Sequence, residues 1–472
     1  ILLLFCCIIT RLISRVEYAG DIDSLRFALA LIDFNLLELR PHFPGYPVFC
    51  FFSKIIYLIT RSIPLTFSFI GGISIYLIII YSLKIWNLSF KSNPSYLKVF
   101  IFLNPLLWIL SNRYMSDIFG LSLLIIGLYY FIKFLKFNYE NSLIKFLLII
   151  TLLMGVRISF LPFFLPAIFY LIFNISCKRL INSILVISIG ISSWLLPLIY
   201  ITGLKDFLIV SVKHINGHFF NWGGSIISNN TGYLPRLIRM IESILADGMG
   251  MWWIGRHWIT IMISIFSFIL FLSFIQSLFF KIRNLKKEHI VIITCLFSYL
   301  LWAYFFQNII YKPRHILPIL PFLIMVFCIG INNIKKQNIL IERIILLPGV
   351  LCIVFLTFNI TMQHKEPTAL SQIQNYINSQ NEDKIVFSSS LLINNFIKHH
   401  KQSKKIFFEP RNSKFLKKYY NSGFTIFTTY NLDTQFEMND KKTFYHNPYV
   451  NRLWPILNVY EYKLNTKQEE FF

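Results

Sequence analysis

Apolar runs of roughly 18–25 residues, the length needed to cross a bilayer, recur in this sequence from its first residues to near residue 361. Inside hydrocarbon each run must satisfy its own backbone N–H and C=O groups, so each is read as a helix. The composition agrees: of 472 residues, 56% are hydrophobic and only 14% charged, with 49 phenylalanines. These features specify a polytopic α-helical membrane protein. The stretch after residue 361 is more polar and about as long as a small domain. The expected organisation is a transmembrane domain over 1–361, with an outer-face loop at 15–64, and a small extracytoplasmic α/β domain over 362–472.

Taken in order, the expected spans begin with Ile1 to Ile13, a short run that no AxA-like cleavage site follows. Ser24 to Leu37 and Val48 to Ile63 carry charges among apolar residues and read as helices at the membrane surface. Further spans are Leu65 to Ile85, Val99 to Ser111, Ile118 to Ile132, Ile144 to Val156, Phe160 to Phe173 and Ile184 to Ile201. Trp258 to Phe280, Ile290 to Phe306, His315 to Ile331 and Ile344 to Ile360 bring the total to about eleven.

The net charge of +23 is a topological signal rather than a nucleic-acid footprint. One set of loops holds Lys84, Lys91 and Lys98; Lys133, Lys136 and Lys145; Lys178 and Arg179; Lys281, Arg283, Lys286 and Lys287; and Lys335, Lys336 and Arg343. Short basic loops stay in the cytoplasm. The acidic first loop, the Asn112 to Asp117 turn, the Thr202 to Arg256 segment, the Lys312-Pro313-Arg314 turn and the tail then face outward. The seven cysteines are scattered, with no CxxC and no Cys/His cluster, so no metal-ligand pattern is present.

Arg40-Pro41-His42-Phe43-Pro44-Gly45-Tyr46-Pro47 cannot continue a helix, because proline lacks the N–H and clashes with the preceding turn. Such a knot at membrane depth is tolerated where protein buries it or where it lines a wet cavity. It follows the acidic segment Glu17 to Asp23 by about one amphipathic helix. A loop with carboxylates, a histidine and an arginine, fixed by prolines on the outer face, has the makings of an active site. Nucleotide sugars are scarce on that face, whereas a lipid-linked donor is carried across.

The order of features resembles the GT-C class of polyprenyl-phosphate-sugar-dependent glycosyltransferases, the family 39-like group around protein O-mannosyltransferases and aminoarabinose transferases. The resemblance rests on Asp23-Ser24 opening an amphipathic helix, then Pro41-His42-Phe43-Pro44-Gly45-Tyr46-Pro47, Asn104-Pro105-Leu106-Leu107-Trp108, Gly155-Val156-Arg157 and Lys312-Pro313-Arg314-His315. Phe43 stands where one bacterial branch has proline, and His315 where tyrosine is frequent. The resemblance implies an inverting hexosyl transfer from a polyprenyl-phosphate sugar to a protein, lipid or glycan acceptor. Membrane lipids are the other expected partners and nucleic acid is not one. The resemblance implies no certain cofactor and leaves a divalent metal open. A bacterial-type cell membrane is the expected location, with the endoplasmic reticulum as the alternative.

A phosphate is a good leaving group if cations meet its charge, and an acceptor hydroxyl needs a base within hydrogen-bond reach. Asp23, Asp21 and Asp117 are the candidate catalytic carboxylates. Each has a plainer reading: Asp23 and Asp117 as helix caps and Asp21 as a turn residue. His42, Tyr46, Arg157, Lys312, Arg314 and His315 are the candidate substrate-binding residues. Arg157 inside an apolar helical pair is costly without a partner, and Arg314 has interfacial anchoring as its alternative. The aromatic set Phe219, Phe220, Trp222, Trp252, Trp253 and Trp258 reads as an interface belt. Asn229-Asn230-Thr231 is a glycosylation triplet of a kind common by chance.

In the tail, Thr368 to Ser379 and Leu391 to Lys398 read as helices, and Lys384 to Ser388, Phe424 to Thr428 and Asn458 to Lys463 as strands. No glycine-rich phosphate loop accompanies them. The competing functions are an outward-facing polysaccharide polymerase and a non-catalytic transporter of lipid-linked sugars. A transporter of that kind should show inverted repeats and mid-span charges, and the sequence shows neither apart from Arg157 near a span end.

Overall fold

Eight helical stretches among the described residues are long and apolar enough to cross a membrane: Ile63–Ser89, Asp117–Phe137, Glu140–Asn174, Cys177–Thr202, Ile259–Leu278, Lys287–Phe306, Pro313–Gln337 and Ile339–Ser379. The computed structural model describes residues 1–90, 94–222, 224–228, 232–279, 286–380, 384–398 and 406–463. Lys91, Lys281, Arg283 and the Asn229-Asn230-Thr231 triplet lie outside them.

Three places account for the difference from the larger expected number. Leu2–Ile13 is a helix of only 12 residues. The Val99 to Ser111 run is two short helices, Ser95–Leu103 and Pro105–Asn112. Pro105 has no N–H to continue the first one, and Asn104 Oδ1 accepts the Leu107 N–H at 3.0 Å to start the second. Conversely, 140–174 runs through without a break. The backbone tightens to a 3₁₀ turn at Ile158–Phe164, which accommodates Pro162.

By its contacts the chain divides into two units, Ile1–Arg15 with Arg26–Met362, and Val16–Leu25 with Gln363–Phe472. In the first, polar pairs tie apolar helices together. Ser273 Oγ donates to Gly330 O at 2.9 Å, joining Ile259–Phe279 to Leu320–Gln337. Arg11 is wholly buried on Leu2–Ile13. Its Nη2 donates to Phe102 O at 3.0 Å, its Nε to Ser111 Oγ at 3.2 Å, and its guanidinium lies 3.7 Å from the Trp108 ring centroid. A cation without these partners would be very costly there.

The helix after the acidic segment spans Ile22–Ile32, shorter than the expected run to Leu37. Asn35 stops the chain from continuing as helix. Its backbone exchanges two hydrogen bonds of 2.8 Å with Arg40, and its Oδ1 accepts from the Leu37 and Glu38 amides. The proline knot follows. Tyr46, in the left-handed region at φ 46°, hands the chain to the helix Pro47–Thr60, with Pro47 in the first turn, where its missing N–H costs nothing.

In the second unit a five-stranded sheet forms from β1 (Ile385–Ser388), β2 (Ile406–Glu409), β3 (Thr425–Thr428), β4 (Met438–Tyr445) and β5 (Ile456–Tyr462), in the order β2-β1-β3-β5-β4. The first three are parallel, with Ile385 beside Ile406 and Thr425, and β5 runs antiparallel to β3 and β4. Val386, Leu416, Tyr420, Ile426, Phe436 and Tyr462 form a core on it. β1, β3, β5 and the two helices match the sequence expectation, whereas β2, β4 and the helix Ser413–Asn421 were not expected. The Val16–Leu25 segment is held by this unit: Ser371 Oγ donates to Ala19 O at 2.7 Å, and Asn451 Nδ2 to Gly20 O at 3.1 Å.

Candidate active site

Asp117 opens the helix Asp117–Phe137 and is 1% exposed. Arg157, the last residue of Glu140–Arg157, points its guanidinium at it, with Nη2 2.8 Å from Asp117 Oδ1. Glycine is required for this approach: a Cβ on Gly120 would stand 2.8 Å from Arg157 Cβ. Arg314, in the 3₁₀ turn Pro313–Ile319, brings its Nε to 3.9 Å from the same carboxylate oxygen, and its Nη1 lies 2.9 Å from Met115 Sδ. One buried carboxylate therefore faces two buried guanidiniums.

Behind them the Tyr299 hydroxyl donates to the His315 carbonyl at 2.8 Å, and the Tyr299 ring lies 5.9 Å edge-on from Phe160. His315 is buried, within electrostatic reach of Arg157, Arg314, Lys312 and His218. Asp117, Arg157, Lys312, Arg314 and His315, from three separated stretches of sequence, thus form one cluster. His218 was not expected there. Burial pushes its imidazole below the ordinary 6.5; the Lys312 charge adds to this and a hydrogen bond with the Phe306 backbone offsets part of it.

His42 and Tyr46 form a second group in the knot, their Nε2 and Oη atoms 2.9 Å apart. His42 stacks on His214 at 5.9 Å and 18°, Phe43 lies 5.4 Å from His214, and Trp222 packs edge-on to His214 at 4.9 Å. Trp222, assigned to an interface belt from the sequence, closes this aromatic stack. The helix leaving the knot touches both helices that carry Asp117 and Arg157. Val48 occupies the space where Gly155, two residues before Arg157, has no side chain, and Phe49 meets Phe119, two residues past Asp117.

Asp21 and Asp23 belong to the other unit. The expected cap is displaced: the helix begins at Ile22, and Asp21 Oδ1, not Asp23, accepts the Ser24 N–H at 2.8 Å. Asp23 is in the first turn, 7% exposed.

The sequence reading missed the cations of the Thr202 to Arg256 segment. Arg236, 1% exposed, donates to the carbonyls of Gly224, Tyr304 and Gln307. Arg256 Nη2 lies 2.5 Å from Asp247 Oδ1. Their signal was available as charges in a segment otherwise rich in aromatics. Among the described residues no group of three or more His, Cys, Asp or Glu side chains is placed to hold a metal ion.

No protein-family model and no curated protein matches the sequence. Solved structures do. The structure of ArnT from Cupriavidus metallidurans bound to undecaprenyl phosphate superposes with a TM-score of 0.61 at 9% identity, covering 97% of each chain. Its apo structure gives 0.58 at 10% identity, again over 97% of each chain. The chain has the ArnT fold. The ArnT-like architecture spans the helices and the small C-terminal sheet, as the GT-C-like expectation had it. With its eight apolar stretches, this makes the chain an integral, multi-pass membrane protein.

Proposed function

We propose that this protein is an integral-membrane glycosyltransferase that moves a sugar from a polyprenyl-phosphate donor to an acceptor hydroxyl on the outer or lumenal face. The observation that carries this reading is the pair of guanidiniums, Arg157 and Arg314, converging on the single carboxylate of Asp117. Asp117 balances one positive charge and orients both side chains. These guanidiniums, with Lys312 and His315 nearby, suit a phosphate whose negative charge grows as its bond to the sugar breaks. An ArnT structure of the same fold was solved with undecaprenyl phosphate bound.

In the proposed reaction the acceptor oxygen attacks the anomeric carbon from the face opposite the phosphate, and the carbon–oxygen bond to phosphate breaks. The acceptor's proton passes to a carboxylate, and polyprenyl phosphate leaves with both electrons. Asp23 is the first choice of base. Asp21 ranks second because its carboxylate already serves as the helix cap, and Asp117 third because it is ion-paired. His42 and Tyr46 are assigned to the substrate. The outer-face assignment, for the site and for the tail over 362–472, follows from the basic loops at the opposite span ends.

The test is binding of undecaprenyl phosphate to purified protein, followed by transfer from a radiolabelled polyprenyl-phosphate sugar. Arg314→Ala and Arg157→Ala should each weaken binding by about 1.5–3 kcal/mol, the worth of a charge-assisted contact. Unchanged binding in both variants removes the assignment.

A further inference from the structure

At the basic end of the bundle, away from the arginine cluster, the Asp117–Phe137 and Glu140–Arg157 helices meet around a cavity of about 410 Å³. We infer that this cavity binds the phosphate of an anionic phospholipid headgroup. Tyr130 and Lys133 come from the first helix, and Glu140, Asn141, Ser142 and Lys145 from the second. Lys145 Nζ lies 5.5 Å from the Tyr130 ring centroid. On the neighbouring helix Ile63–Ser89, Lys84 Nζ lies 4.2 Å from the Tyr81 centroid and 5.5 Å from that of Tyr129, and Tyr129 packs edge-on to Tyr130 at 5.1 Å.

Lysines at span ends ordinarily spread into water. Here the Tyr130 face holds Lys145 beside one opening, with Lys133 in its wall, and Lys84 lies on the adjoining tyrosines. Glu140 is the one acid lining it, and among the described residues no ion pair joins Glu140 to Lys133 or Lys145. The opening therefore keeps a net positive charge. Asn141 and Ser142 add neutral donors beside it. Two ammonium groups and these donors match the charge and oxygens of a phosphodiester.

Lipid is the favoured source because of depth. Lys133 lies in the last turns of an apolar span and Lys145 in the first turns of the next, so the cavity opens where headgroups are concentrated. Basic pockets between spans at that level recognise anionic headgroups.

Native mass spectrometry of the full chain, released from micelles doped equally with phosphatidylglycerol and phosphatidylcholine, tests this. The wild type should retain phosphatidylglycerol preferentially. The double variant Lys133→Gln with Lys145→Gln should lose the preference, by roughly fivefold per lysine. Glu140→Gln, at an exposed position, should strengthen it, which keeps the test valid if the double variant folds poorly. Equal retention of the two lipids by the wild type, or no change in either variant, overturns the proposal. Displacement of the retained lipid by inorganic phosphate overturns the lipid assignment and gives the site to a soluble phosphate.

Discussion

Arg157 Nη2 is 2.8 Å from Asp117 Oδ1, and the two side chains are 6% and 1% exposed. Breaking such a pair by removing one partner leaves a charge stranded in a low-dielectric setting, which costs about 3–5 kcal/mol. Arg314, also within reach of this carboxylate, makes Asp117 the more sensitive partner.

Asp117→Asn should therefore lower the thermal midpoint in detergent sharply. Arg157→Gln added to it should restore part of the loss, since one stranded cation is then gone. Strictly additive losses in the double variant would show that the two residues are not coupled.

The proposed catalytic carboxylate, Asp23, is open to a cleaner test than the sequence suggested, because Asp21 Oδ1 caps the helix. Asp23→Asn keeps the cap and the shape and removes the charge and the basicity. Folding and donor binding should survive while turnover falls by on the order of 10²–10⁴. Near-normal turnover would move the role to Asp21 or Asp117.

His218 carries a pH dependence of known sign. Burial holds its imidazole below the ordinary 6.5 in the folded state. As pH falls through that ordinary value, the unfolded chain takes up a proton that the folded chain refuses. The stability His218 contributes is thus complete above about pH 7 and is lost progressively on acidification. Thermal midpoints from pH 8 to pH 5 should fall more steeply for wild type than for His218→Gln. Parallel curves would exclude a neutral buried imidazole.

Orientation is testable by cysteine labelling. Cys6 and Cys177 are exposed and Cys352 half-exposed, so all three are first changed to serine. Asn375→Cys in the tail and Lys287→Cys in a basic loop, both at exposed positions, should then label from opposite sides of sealed vesicles. Labelling of both from one side would contradict the outward assignment of the tail.

Much of this architecture was legible in local chemistry. A run of apolar side chains long enough for the bilayer has one way to satisfy its backbone, so span placement follows from hydropathy. Proline's missing N–H places the knot at Pro41 to Pro47 whatever the surroundings, whereas the same signal at Pro105 breaks a run expected to cross whole from Val99 to Ser111. In the tail, β1 and β3 are buried throughout around apolar pairs such as Val386-Phe387 and Ile426-Phe427, and their pattern was readable. β4 was not, because Met438–Tyr445 is a mostly exposed edge carrying Lys441 and Lys442. Charges on an edge guard it against pairing with another chain, and they erase the alternation by which a strand is recognised.

The sequence by itself determined the class of the protein, its basic and acidic ends, and a short set of candidate residues. Only the tertiary structure decided which candidates meet. Nothing local to Arg157 or Arg314 says that both face Asp117, since the three come from separate helical elements. The meeting of Asp117 and Arg157 depends on Gly120 letting one helix approach another. Asp21's role as the cap is by contrast local: one backbone bond, Leu25 N–H to Asp21 O, sets where the helix starts. A charge's partner is chosen by packing between elements, and packing is a property of pairs of surfaces that no single stretch of sequence carries.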